Sequence, residues 1–260
     1  MSNFLDAIKE LEDSFDYLPA NNSELQRTEQ WYKDRLPCFS GSEMFKLMGC
    51  TRAAAKKKWD DPQKILSFGN TAIKYIYKVA QKRRTLIPDM DIYAKSMEHG
   101  KDNEALLNEQ LLKDGIISSH KEHGFVKFQN MDYAGASPDG EVSHRDIQMA
   151  QESKSTTSWD GHYERMGQPF DYKHKDFWQV TAEMIALKMN KCLYVTAYPG
   201  VYEQYDYKVI ELSKMHAFAL IQRLKIANAA VEIFIQEYPA KYINECLELA
   251  CAEYVTVEFS

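Results

Sequence analysis

Ser137-Pro138-Asp139-Gly140-Glu141-Val142-Ser143-His144-Arg145-Asp146-Ile147-Gln148-Met149-Ala150-Gln151-Glu152-Ser153-Lys154 is the stretch from which the fold is read. Pro-Asp-Gly is a turn signal, and Ile147 to Lys154 has the pattern of a strand. The polar Ser143-His144-Arg145-Asp146 segment between them suits a hairpin loop centred between Arg145 and Asp146. In a regular antiparallel hairpin about that centre, Asp139 stands directly opposite Glu152, with Cβ atoms about 5 Å apart. Lys154, two residues on, points to the same face. Facing carboxylates repel each other unless a cation lies between them. Hard oxygen ligands on so short a baseline suit Mg²⁺ or Mn²⁺. A lysine beside that ion can orient an attacking water.

Helical spacing dominates on both sides of the hairpin. Phe4, Leu5, Ile8, Leu11 and Phe15 predict a helix over residues 3–16, followed by a polar linker over 19–28. Ser42 opens a short helix that ends near Gly49. Longer helices are expected from Gln63 to Arg84 and from about Tyr93 to Lys113, the latter closed by Gly115. Further strands are read at Phe125–Gln129, Leu193–Tyr198 and Tyr205–Leu212. A helix from His174 to Met189 precedes the last two. The segment from Ser155 to Tyr172 is rich in turn formers and reads as a loop. Helices return from Ser213 to Ile235 and from about Lys241 to Ala252. The pattern predicts a single α/β domain: a core over 29–212, an N-terminal helical extension over 1–28 and C-terminal helices over 213–260.

Composition limits the function classes. The chain has 260 residues, 45% of them hydrophobic and 27% charged, which excludes disordered, collagenous and membrane-embedded classes. The opening Met-Ser-Asn-Phe-Leu-Asp-Ala-Ile-Lys-Glu has acids where a signal peptide carries lysines, so a cytoplasmic location is expected. Five cysteines, an odd number and mostly scattered, read as reduced thiols. The net charge is −6, yet ten basic residues between Thr51 and Arg84 stand against only Asp60 and Asp61. That segment is expected to form one basic face on an acidic body.

Gly100-Lys101-Asp102-Asn103-Glu104, then Ser137-Pro138-Asp139-Gly140, then Glu152-Ser153-Lys154, then a helical Gln179, resemble the PD-(D/E)XK nuclease superfamily. More closely, the order resembles the phage lambda exonuclease and YqaJ-type viral recombinase group. Trp31-Tyr32-Lys33-Asp34-Arg35 followed by Ser40-Gly41-Ser42-Glu43 is similar to that group's Trp-x-x-x-Arg and serine-rich helix start.

The resemblance implies a restriction-endonuclease-like core sheet flanked by helices. It implies a Mg²⁺-dependent exonuclease, with Mn²⁺ as substitute, that acts on double-stranded DNA ends. Asp139, Glu152 and the Ser153 carbonyl match the metal ligands, completed by Glu104. Lys154 matches the lysine that positions the water, and Gln179 the glutamine that supports it. Arg35, Ser42 and Ser137 match a 5′-phosphate pocket. Ser155-Thr156-Thr157 stands where the group often has proline or cysteine, and its usual arginine is missing, so Arg165 is the nearest substitute for DNA binding. A homotrimeric ring, a single-strand annealing partner and no membrane association are further implications. Two alternatives remain. One is a Cas4- or RecB-like nuclease with an iron–sulfur cluster. The other is a non-catalytic DNA-end-binding or assembly subunit of the same fold.

Overall fold

The computed structural model describes Gln26, residues 28–87 and residues 95–259. The helix expected at 3–16 and nearly all of the 1–28 extension lie outside them. Among the described residues eight strands form two sheets. A five-stranded sheet contains β2 (Ser119–Lys121), β5 (Gly140–His144), β6 (Ile147–Ser155), β7 (Lys191–Tyr198) and β8 (Val201–Glu211) in the order β2-β5-β6-β7-β8. A three-stranded sheet has the order β1-β4-β3, from β1 (Phe39–Ser40), β3 (Val126–Phe128) and β4 (Met131–Ala136).

The hairpin forms about the expected centre. β5 and β6 pair antiparallel from Gly140↔Gln151 to His144↔Ile147. The loop is tighter than the four residues expected. Arg145 and Asp146 alone turn the chain, with φ of 51° and 64°, the two left-handed residues of a type I′ turn. Ser143 and His144 are buried strand residues instead.

β6 and β7 run parallel, so a crossover must join them. It contains α8 (Phe177–Leu187), whose side chains are nearly all buried. This helix touches both sheets and so couples them. The opposite face of the larger sheet is covered by α6 (Lys95–Lys113) through Leu107 and Leu111.

Several elements differ from the sequence pattern. The helix expected from Gln63 to Arg84 is two, α4 (Pro62–Ile65) and α5 (Asn70–Thr85). The chain breaks at Ser67-Phe68-Gly69, where a Cβ on Gly69 would stand 2.7 Å from the Cys50 carbonyl oxygen. The carbonyls freed by the break go to Arg223 on α9 (Lys214–Glu237). Its guanidinium donates to the carbonyls of Leu47, Gly49, Lys64, Ile65 and Ser67.

Residues 155–172 are not simply a loop. Ser158 caps α7 (Trp159–His162), accepting from the Gly161 amide at 3.1 Å, and the helix runs into a π turn at Tyr163–Gly167. α9 and α10 (Ile243–Phe259) extend past their expected ends and pack on α5. Among the described residues no helix is long and apolar enough to cross a membrane.

The basic face is also thinner than its sequence count. Lys64 is buried and turned inward, donating to the carbonyls of Lys57 and Ala55 over the Trp59 ring. Arg83 is paired with Glu232 at 2.6 Å.

Candidate active site

The hairpin's open end brings the expected acids together. Asp139 lies one residue before β5, in a bend, and its carboxylate accepts the Ser153 backbone N–H at 2.8 Å. The ladder ends at Gly140↔Gln151, and this bond holds Asp139 against β6. Glu152 and Lys154 share one face of β6 and form an ion pair. Gln179, on α8, ties them together. Its Nε2 donates to Glu152 Oε1 at 2.6 Å, and its Oε1 accepts from Lys154 Nζ at 3.2 Å. Glu104, on α6, completes the group and acts on Asp139 through its charge.

The electrostatics follow from this crowding. Burial, then the charges of Glu152 and Glu104, push the Asp139 carboxyl well above the ordinary range. Burial alone would lower Lys154, but the carboxylates of Glu152 and Asp139 outweigh it and hold the ammonium above its usual value. The site therefore has more acid than one lysine neutralises, the condition under which a cation is favoured.

The donor set fits Mg²⁺ or Mn²⁺. Every candidate ligand is a hard oxygen, and Glu152 Oε2 is buried without a hydrogen-bond partner. Among the described residues no three His, Cys, Asp or Glu side chains form a ready-made cage. The five cysteines are all free, and no cluster of them offers an iron–sulfur site.

A second group forms where the smaller sheet ends. β1 and β4 are parallel, with Ser40↔Gly135 in register, so Ser42 and Ser137 leave the sheet at the same end. Arg35 is the last residue of α1 (Glu29–Arg35). The sequence pattern placed it before a helix start; at a helix C-terminus a cation is favoured. Its Nη2 donates to Ser42 Oγ at 2.8 Å, and its guanidinium lies 4.7 Å from the centre of the Trp31 ring. Trp31 Nε1 donates to Ser137 Oγ at 3.0 Å. Arg35, Ser42 and Ser137 are thus gathered around one indole. Beside them, Glu43 is paired with Lys46 and Lys78.

Arg165 is not part of this corner. It pairs with Asp176 at 3.2 Å, and Asp176 also accepts from the Tyr194 hydroxyl at 2.6 Å. A cavity of about 490 Å³ is lined by Ser42 and Gln179, one residue of each group, and by Asp176, Trp59, Lys64 and Tyr172.

Sequence reasoning missed two contributors. Glu183, one turn after Gln179 and 1% exposed, accepts from Gln179 Nε2 at 2.9 Å. Burial, then the neighbouring Glu152, raise its carboxyl well above the usual range. Its signal was available: it is the one acid in an otherwise apolar α8. Gln151 is fully buried and donates to Asn108 Oδ1 and to Ser153 Oγ. It ties α6, which carries Glu104, to β6, but nothing local marks it as more than a strand residue.

No protein-family model and no curated protein sequence matches the chain. Solved structures do. An alkaline exonuclease from Laribacter hongkongensis, LHK-Exo, is similar with a TM-score of 0.63 and 19% identity, over 80% of this chain and 95% of that one. The same figures hold for LHK-Exo in complex with dAMP. A phage-related exonuclease from Haemophilus somnus 129PT is similar with a TM-score of 0.56 and 11% identity, over 77% of this chain and 96% of that one. A mixed α/β body, a central sheet flanked by helices, is thus the fold this chain shares with those solved structures.

Proposed function

We propose that this chain is a metal-dependent exonuclease that hydrolyses phosphodiester bonds from the ends of duplex DNA, 5′ to 3′, in phage-type recombination. The observation that carries the reading is the interlocked group of Asp139, Glu152, Lys154 and Gln179 beside Glu104. Asp139, Glu152 and the Ser153 carbonyl would hold Mg²⁺, with Glu104 completing its surroundings. The bound ion supplies Lewis acidity and a water of lowered pKa. Lys154 would orient an attacking water and the scissile phosphate, and Gln179 fixes the ammonium. Arg35, Ser42 and Ser137 grip the 5′-terminal phosphate through charge-assisted hydrogen bonds. A closed trimer would gather three basic segments around one channel, so that local field rather than net charge holds the DNA. A single-strand annealing protein is the expected partner, in the cytoplasm of the host cell.

Digestion of end-labelled linear duplex tests the reading. Activity should vanish in excess EDTA, return with Mg²⁺ or Mn²⁺, and not return with Ca²⁺, whose looser shell fits the chemistry poorly. Covalently closed circular duplex should survive. Full cleavage in EDTA, or cutting of closed circles, would overturn the assignment. A protein that binds ends yet is inert with every ion would be the non-catalytic subunit.

The phosphate corner makes a separate prediction. Wild type should prefer 5′-phosphate over 5′-hydroxyl ends, and Arg35→Ala should lose that preference while still cutting slowly. Initial rates on the two substrates measure it. A mutant that keeps the preference would remove Arg35 from the anchor.

A further inference from the structure

Glu183 is a buried acid that the chemistry above leaves unused. Nearly every other side chain on α8 is apolar and buried. Packing alone has no use for a carboxyl there, because burying one costs free energy that a leucine would not.

Its contacts suggest a purpose. Gln179 Nε2 donates to Glu183 Oε1 at 2.9 Å and to Glu152 Oε1 at 2.6 Å, while Gln179 Oε1 faces Lys154. The two ends of a primary amide have nearly the same shape, so its partners decide which way it faces. Turned over, the amide would set N–H against the lysine ammonium and oxygen against two carboxyls. Glu152 is one of the two acceptors that prevent this, and it is also assigned to the metal. Glu183 also shares a side-chain hydrogen bond with Glu152, but it is the acceptor that is not assigned to the metal.

We infer that Glu183 is a positioning residue that locks the Gln179 amide in the orientation that steers Lys154. The inference rests on the nuclease reading above.

The test places Glu183→Leu and Glu183→Gln in wild-type and Gln179→Ala backgrounds. Single-turnover cleavage is measured at saturating Mg²⁺, Mn²⁺ affinity by calorimetry, and the Gln179 side-chain amide resonances in metal-free protein. Glu183→Leu should slow the chemical step roughly 10- to 100-fold, as loss of a supporting partner does. Glu183→Gln, whose own carbonyl can accept the same bond, should stay within about twofold of wild type. In the Gln179→Ala background Glu183→Leu should add nothing, because coupled residues are not additive. Mn²⁺ affinity should hold, and the Gln179 amide resonances should move in Glu183→Leu alone.

An equal loss in both backgrounds, a fall in Mn²⁺ affinity, or unmoved resonances would overturn the inference. Should Glu183→Leu not fold, Glu183→Met replaces it under the same criteria. A Gln179→Ala protein with wild-type rate would instead fault the reading of the site, and the amide resonances would then decide the positioning alone.

Discussion

Alanine at Asp139 or at Glu152 is expected to abolish both cleavage of linear duplex and calorimetric Mn²⁺ binding, while alanine at Lys154 keeps the ion and loses the rate. On the proposed function each acid would contribute a hard-oxygen ligand, and removing one would leave a site that cannot hold the ion against water. Lys154 contributes none. Its ammonium is held between Glu152 and Gln179, so its loss affects alignment and proton traffic, which are worth about 10² to 10⁴ in rate. Titration with Mn²⁺ and single-turnover cleavage separate the two effects. A Lys154→Ala enzyme at wild-type rate would remove the lysine from the mechanism, and an Asp139→Ala enzyme that still cuts would move the metal elsewhere.

Arg223→Met is expected to destabilise the chain by about 4 kcal/mol or more, since several buried carbonyls lose their donor at once. Five carbonyls converge on this one guanidinium, which also lies 3.8 Å from the centre of the Phe68 ring. Burial lowers the arginine to about 10, high enough to keep it charged at neutral pH. Arg223→Lys should recover only part of the loss, because a single ammonium has three donors and no planar fork. Urea midpoints of the three proteins measure the effect. A methionine variant within about 1 kcal/mol of wild type would show that water replaces the guanidinium, as it can at a less enclosed site.

How much was legible depended on the range of the cause. The Asp139–Glu152–Lys154 group was readable because a two-residue turn fixes the register of everything it joins, and that register is counted along a short stretch of chain. The helix over 174–189 was legible from its apolar run, and so was Gln179's place on it. Arg223 was not, because its five acceptors lie more than 150 residues away. The split of the helix expected from Gln63 to Arg84 shares that cause. Of the smaller sheet only β3 was read, because β1 is two residues long and β4 ends in Ala-Gly-Ala, small residues that allow close approach. At Gly135 a Cβ would lie 2.5 Å from the Val126 carbonyl oxygen. Glu183 could have been found by asking why one acid interrupts an apolar helix face at the i+4 position from a candidate residue.

Ser137 and Asp139 are separated by a single proline, and that closeness makes the chain a ruler. One end of Ser137-Pro138-Asp139 touches the indole that gathers the proposed phosphate anchor, and the other faces Glu152. Two residue steps of extended backbone span at most about 7 Å, and Pro138 stiffens even that. Gln26 Nε2 also holds the Pro138 carbonyl at 2.8 Å. On the proposed function, the interval between a gripped strand end and the bond to be cut is set by covalent geometry. It is short enough for one nucleotide and too rigid to stretch to several, so the length of the released piece is a property of the polypeptide rather than of the DNA.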